Sequence, residues 1–553
     1  MWHMEEVFSL TSDTTRKLSR GHLSRTDGGP RHDAPISRRQ FLDTAGKAAL
    51  LGGMGVAISA CGSSSTSTSA PAATARHGGT LRAALSGGAS SDTLDAQRLV
   101  TNVDFARAAS LYDPLIKLDV NAAPQLALAQ SITPNTNATA WTIRLKRGIT
   151  FHNGKELTAE DVIYSLRRIT NPKNPLPGAT PISAVLASEI KALDRFTVHV
   201  PCRGSYATFA DELASYYYYY YIVPTGYNPR NPVGTGAFKY QSFTPGTESV
   251  FVRNPDYWQA PLPYLDKVVI TDYADETSQL NALASGQADV VNLLDASAIG
   301  QLESNGSVAV VSNAGGFTPF TMRVDVPPFN DVRVRQALRL VVDRKQMLDL
   351  VFGGHGIIGN DVFSIFDPQY DHSLPQREQD IGQAKSLLKA AGREDLTVQL
   401  VASDIAQGTL GAATLLAQQA SAAGVKINIR QVTPTELFGS EYLKWPYAQD
   451  YYYFSKYFPQ VAQSTLPSAP YNETHFNDPT YNKLYASAIS EVDPAKRGEI
   501  SHEMQMIDYE RGGYIIPYFP PVIDAHGKHV HGIVPSRTGL SLANFNFASV
   551  WLT

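Results

Sequence analysis

Residues 396–432 constrain the fold more than any other stretch. Residues 396–402 are a short apolar run of strand character, 410–423 carry a helical apolar period stopped by Gly424, and 425–432 (VKINIRQV) alternate again. Strand, helix and strand in so few residues form a β-α-β unit. That unit places two parallel strands in one sheet with a helix on its face, which makes the chain α/β rather than all-β or a helical bundle. Gly79–Leu85 at the start of the folded body reads as a further strand, and 141–146 (WTIRLK) as another. Thr158 and the acids Glu160 and Asp161 suit the positive end of a helix carrying Val162, Ile163, Leu166 and Ile169 on one face. Asp331 caps a helix expected over 332–352, with Val334, Leu338, Val341, Met347 and Leu350 in its stripe and Gly353-Gly354 as its stop.

At 553 residues the chain is long enough for more than one domain, but its first 77 residues do not read as fold. Residues 1–36 are polar and without apolar period, either a disordered extension or the product of an early start codon. Ser37-Arg38-Arg39-Gln40-Phe41-Leu42 then precedes an uncharged Ala/Gly-rich run over 48–60, which ends in Ile58-Ser59-Ala60-Cys61-Gly62. At about 1.5 Å per residue that run reaches roughly 20 Å, short of the roughly 30 Å of a bilayer core. It reads as the apolar region of a signal peptide. The order resembles a twin-arginine export signal closed by a lipoprotein cleavage box, with Ile58 where leucine is usual. The resemblance implies export of the folded protein and lipidation of Cys61, with 62–77 as a flexible tether.

Composition excludes several classes. The formal charge is −4 with no basic stripe after residue 80, so nucleic acid is not an expected partner. The only cysteines are Cys61 and Cys202, too few for a disulfide framework; Cys202 reads as a small buried residue. The nucleophile-elbow, phosphate-loop and zincin motifs are absent. His526, His529 and His531 are interleaved with Gly and Lys, which fits an exposed hairpin better than a metal site. Twenty-seven tyrosines are unusual, and two clusters stand out, 216–221 and 451–457. If extended, the first would place three rings on each face of a strand. In the second, each ring belongs either to a core or to a binding surface.

An ordered set of segments spans most of residues 78–553. It comprises Leu111-Tyr112-Asp113-Pro114-Leu115; Phe151-His152-Asn153-Gly154-Lys155 with Thr158-Ala159-Glu160-Asp161-Val162; Asn231-Pro232-Val233-Gly234-Thr235-Gly236-Ala237-Phe238; Arg253-Asn254-Pro255-Asp256-Tyr257-Trp258; Leu283-Ala284-Ser285-Gly286-Gln287-Ala288-Asp289; and Pro328-Phe329-Asn330-Asp331-Val332-Arg333-Val334-Arg335-Gln336-Ala337-Leu338. Together these resemble the extracellular solute-binding proteins of the peptide/nickel class, family 5, which serve ABC transporters. Residues 232–236 read as a turn needing glycine dihedrals. Ala237-Phe238 replaces the family's usual Pro-Tyr.

The resemblance implies a two-lobed periplasmic-binding-protein-like α/β fold of type II, with an extra subdomain in the first lobe. Its boundaries are lobe I over 78–316, lobe II over 317–515, and a return to lobe I over 516–553. It implies a binding protein rather than an enzyme, with no catalytic residue, cofactor or metal. The protein would be a monomer, held at the membrane by its lipid alone, in the periplasm or on the outer face of the cytoplasmic membrane. A small ligand, a peptide or a peptide-like or aromatic compound, would be captured between the lobes and delivered to permease subunits.

The ligand-contacting candidates are Tyr112 and Asp113; Phe317, Thr318 and Phe320 at one crossover; Tyr518 at the other; and Asp450, Tyr451, Tyr452, Tyr453, Phe454 and Tyr457. Relatives place a tryptophan and an aspartate in this last loop, the aspartate for a peptide's amino terminus. Here Lys456 stands near that place, which argues against a free amine as the main anchor. Two other classes stay open: an exported hydrolase with a carboxylate pair in the cleft, and a solute-binding sensor or chaperone without an import role.

Overall fold

A computed structural model describes residues 74–553. The twin-arginine motif, Cys61 and most of the following tether lie outside the described residues. The β-α-β unit is present: Thr397–Ala402 and Lys426–Gln431 pair in parallel, joined by the helix Thr409–Ser421. They are part of a five-stranded sheet in the order Lys426–Gln431, Thr397–Ala402, Tyr447–Gln449, Phe320–Met322, Tyr514–Ile515. Leu400, Ala412, Leu416 and Ala420 are fully buried between sheet and helix.

A seven-stranded sheet organises the other half. Thr80–Ser86 runs parallel to Lys267–Tyr273 on one side and Val290–Val291 on the other. Pro521–Gly527 from the C-terminal tail lies antiparallel between Val290–Val291 and Ser307–Asn313. A four-stranded antiparallel sheet, in the order Ala129–Pro134, Ala140–Leu145, Thr197–Pro201, Lys191–Asp194, builds an additional layer on this half. The fold is thus the two-lobed α/β architecture with an extra subdomain.

Local signals explain several joints. Thr158 and Asp161 form a reciprocal capping box at the start of the helix Ala159–Ile169. The helix expected over 332–352 is two helices, Val332–Leu340 and Arg344–Phe352. Asp343 accepts from the Gln346 N–H and so caps the second as Asp331 caps the first. The axis therefore changes, and Leu350 faces solvent at 68% exposure rather than joining a continuous stripe. Gly353 ends the second helix in the left-handed conformation at φ 60°.

The Gly234-Thr235-Gly236 segment needs its glycines for a reason other than dihedral angle. Neither has a positive φ. Instead the segment passes against the Leu111 backbone, and a Cβ at either glycine would collide with it. The Gly236 N–H donates to the Leu111 carbonyl at 2.9 Å. His152 holds the same segment, accepting from the Gly234 N–H through Nδ1 and facing the Gly236 carbonyl through Nε2. Burial pushes this imidazole down to about 4, so it stays neutral with its proton on Nε2.

The tyrosine run 216–221 is not a strand. It continues the helix Phe209–Ser215 into a single 3₁₀ turn, Tyr217–Tyr219. Every ring but Tyr219 is buried, in edge-to-face and tilted contacts such as Tyr218 with Tyr219 at 4.7 Å and with Phe105 at 5.0 Å. Cys202 is buried, and its thiol is pushed up to about 11. The histidine trio is not a uniformly exposed hairpin either. His526 is buried on its strand, His529 meets Asp289 at 2.9 Å, and His531 stacks on Trp551 at 4.0 Å.

Candidate ligand-binding cleft

The chain passes between the two large sheets at 314–319 and again at 516–520. A cavity of about 370 Å³ lies at these crossings. Its walls come from both halves: Ser86, Gly87 and Val100–Asn102 from one, Ile405–Gln407 from the other, with Phe317, Thr318 and Tyr451–Tyr453 between them. Three wall segments directly follow the carboxyl ends of parallel strands. Ser86 closes Thr80–Ser86, Leu293 follows Val290–Val291, and Ile405–Gln407 follow Thr397–Ala402. That is the general location of ligand crevices in open α/β sheets. None of these segments was singled out in the sequence, although that rule points to them.

Phe317 and Tyr452 exchange two backbone hydrogen bonds, at 2.9 and 2.8 Å, in an isolated bridge. Gly316 is required beside them because a Cβ would press on the Tyr452 carbonyl. The Tyr452, Phe317, Phe363 and Tyr457 rings stack in sequence, with centroids 5.0, 5.7 and 5.3 Å apart. This aromatic column leads from the cavity wall into the core. Gln407 reaches across the cleft and donates to the Leu293 carbonyl at 2.9 Å.

A second chamber of about 390 Å³ shares Tyr451, Tyr452 and Tyr453 with the first. Tyr216, Tyr218 and Tyr219 form one side and Phe438, Tyr442 and Tyr471 another. Asp450 is on its wall. Its carboxylate accepts from the Tyr442 hydroxyl at 2.8 Å and from the Tyr451 N–H at 2.7 Å. Glu473 accepts from Tyr452 at 2.6 Å and Tyr514 at 2.9 Å. Burial raises both acids above the usual carboxyl range, and the Asp450 charge pushes Glu473 further.

This is a carboxyl pair of the type a hydrolase would use, but its surroundings do not suit one. The void that both acids line is about 10 Å³, room for one water at most, and tyrosine hydroxyls already occupy the acids. Lys456 does not enter the cleft; its ammonium meets Asp211 at 2.6 Å. Among the described residues, no group of three or more His, Cys, Asp or Glu side chains is arranged to hold a metal ion.

Several sequence candidates lie away from the cavity. Tyr112 is buried, with its hydroxyl on the Leu94 carbonyl and on Tyr227. Asp113 accepts from Thr235, Trp258 and Tyr257, which ties three motif segments together inside the first half. Phe320 is fully buried among the apolar residues of the five-stranded sheet, and Tyr518 packs there against Phe352. Phe454 turns onto Phe366. Tyr457 opens the helix Tyr457–Ser464 and gives its hydroxyl to Asp508 at 2.7 Å. The physical reason is common to the last two: 451–457 is not one extended segment, so alternation fails after Tyr453.

The comparisons with known proteins agree with this architecture. Residues 123–482 match the family described as bacterial extracellular solute-binding proteins, family 5. A curated relative, the glutathione-binding protein GsiB of Salmonella choleraesuis (strain SC-B67), is 24% identical over 480 residues, covering 82% of this chain and 92% of its own. Among solved structures, the ABC transporter substrate binding protein CtaP from Listeria monocytogenes superposes with a TM-score of 0.76 at 20% identity, covering 86% of this chain and 100% of its own. The periplasmic binding protein DppA from Helicobacter pylori, in complex with the peptide STSA, gives 0.72 at 20% identity over 86% and 98%. The match covers well over half of the chain, in a family that binds solutes rather than transforming them, so this protein belongs to family 5 of the extracellular solute-binding proteins that serve ABC transporters.

Proposed function

We propose that this protein captures a small solute, a peptide or a peptide-like or aromatic compound, in the cavity between its two lobes and delivers it to an ABC permease. The lobes are taken as 78–316 with 516–553, and 317–515. The observation that carries this reading is the cavity of about 370 Å³, walled by both halves of the molecule and by both chain crossings. A wall divided between two bodies is complete only when they are together. Solute binding therefore favours the closed arrangement by the contacts it adds there. The Gln407 to Leu293 hydrogen bond is a protein contribution to the same state. GsiB is named for glutathione and DppA holds a peptide; the ligand class proposed here is of that general size. Native mass spectrometry of the protein from its own host tests the reading. A single bound small molecule per chain is expected, and a bare chain after incubation with concentrated spent medium counts against it.

The proposal includes a location. Arg38-Arg39, the short apolar run and the Ser-Ala-Cys ending support twin-arginine export and lipidation of Cys61, in the periplasm or at the outer face of the cytoplasmic membrane. Cys61→Ser is expected to move the protein from the membrane fraction to the soluble fraction on cell fractionation. Retention at the membrane would remove the lipid anchor from the account.

A further inference from the structure

The walls of the cavity at the chain crossings carry no charged side chain. Its polar groups are Ser86, Thr101, Asn102, Thr318, Gln407 and the tyrosine hydroxyls, and the rest of the lining is apolar or glycine. Most of the charges nearby are already engaged. Lys456 is held by Asp211, and Asp450 and Glu473 by tyrosine hydroxyls. Asp524 accepts from the Leu542 and Leu293 N–H groups. Arg537 lies over the Phe366 ring, and Asp404, next to the wall at 405–407, faces solvent. The side-chain oxygens Asn102 Oδ1 and Thr318 Oγ1 are closed off from the cavity, so the neutral polar groups of Ser86, Thr101, Gln407 and the tyrosines are the ones a solute meets.

We infer that the solute held in this cleft is uncharged at neutral pH, presents hydroxyl or amide groups to the neutral polar side chains of the wall, and lays a flat ring or apolar face on Tyr451 and Tyr453. That is the chemistry of a neutral glycoside, or of an amide whose ends are blocked. The inference rests on the cleft being the binding site and adds the class of solute. A carboxylate or ammonium entering here would lose its hydration and meet no opposite charge, and ring contacts do not offset that loss. An amide or hydroxyl loses less and recovers it from the neutral polar side chains of the wall. Tyr453 is suited to an edge contact, since its ring already stands T-shaped to Tyr451 at 6.1 Å and to Phe105 at 6.0 Å.

The test uses the full chain and an Ala406→Trp variant, which fills the cavity from a partly exposed wall position. Both are purified from the native host and incubated with concentrated spent medium. Bound molecules are released by acid and identified by tandem mass spectrometry. The expected result is a compound neutral at pH 7, at least about tenfold enriched on the parent over the variant. Its affinity should be insensitive to salt, because no ion pair is screened. Sugar-ring fragments identify a glycoside and amide-backbone fragments a blocked peptide. A zwitterion, carboxylate, amine or metal chelate that is retained by the parent and lost in Ala406→Trp overturns the inference while the cleft stands as the site. A compound bound equally by both, or nothing bound to either, overturns the cleft reading and this inference with it.

Discussion

Asp508 ties the aromatic column beneath the cleft to pH. Burial pushes its carboxyl from 3.8 up to about 7, and its oxygen accepts from the Tyr457 and Tyr481 hydroxyls at 2.7 and 3.1 Å. The folded chain thus keeps a proton that the unfolded chain releases at lower pH. The stability tied to that proton is complete below about pH 4 and lost as pH rises through about 7. Asp508→Asn keeps an acceptor for both hydroxyls and cannot ionise. In urea unfolding across that range, the variant should gain on the parent with rising pH, by at most about 1.4 kcal/mol per unit, and the gap should level off above it. A constant gap would assign the proton elsewhere. At this scale the sequence was most legible where one side chain performs one local act. Thr158, Asp331 and Gly353 stand at the helix ends they were expected to cap or close. The tyrosines were not legible: a phenol serves equally in a core and in a cleft, and only the path of the backbone after Tyr453 separates Tyr452 from Tyr457.

Two arginines of the helix Val332–Leu340, Arg335 and Arg339, account for an element that periodicity could not. Arg339 is fully buried and donates to the carbonyls of Asp508, Tyr509, Gly512 and Tyr514 at 2.8–3.2 Å. Arg335 adds the carbonyls of Arg511, Gly512 and Phe329. Together they satisfy the open carboxyl end of the helix Pro494–Arg511 and fasten it to the strand Tyr514–Ile515. Arg339→Met should cost at least about 3 kcal/mol, because several buried carbonyls lose a charged donor at once. Arg339→Lys should recover only part of this, having no planar fork. The midpoint of denaturant unfolding measures both, and a change in Arg339→Met of under about 1 kcal/mol would contradict this role. Elements with a local rhythm, such as 397–402, 409–421 and 426–431, were legible to within two residues. The break at Val341–Asp343 was not, because Asp343 reads as an ordinary polar position until the second helix starts on it.

At the scale of the whole molecule, the cleft is a product of topology. The tail strand Pro521–Gly527 enters the sheet begun at Thr80, and this brings 516–522 beside 314–318 with the 451–453 loop against them. No local pattern encodes that meeting, and the family resemblance carried it instead. Wall residues distant in sequence, such as Asn102 and Gln407, come together only through it. The central claim is that a solute is held in this cavity, and the Ala406→Trp variant tests it directly. The small molecule co-purified from the host is titrated by calorimetry into stripped parent and stripped variant, with circular dichroism and thermal melting as the check on folding. The account predicts one site per chain in the parent and, in an equally stable variant, affinity weakened by at least about 100-fold. Unchanged affinity in a folded Ala406→Trp protein would contradict it.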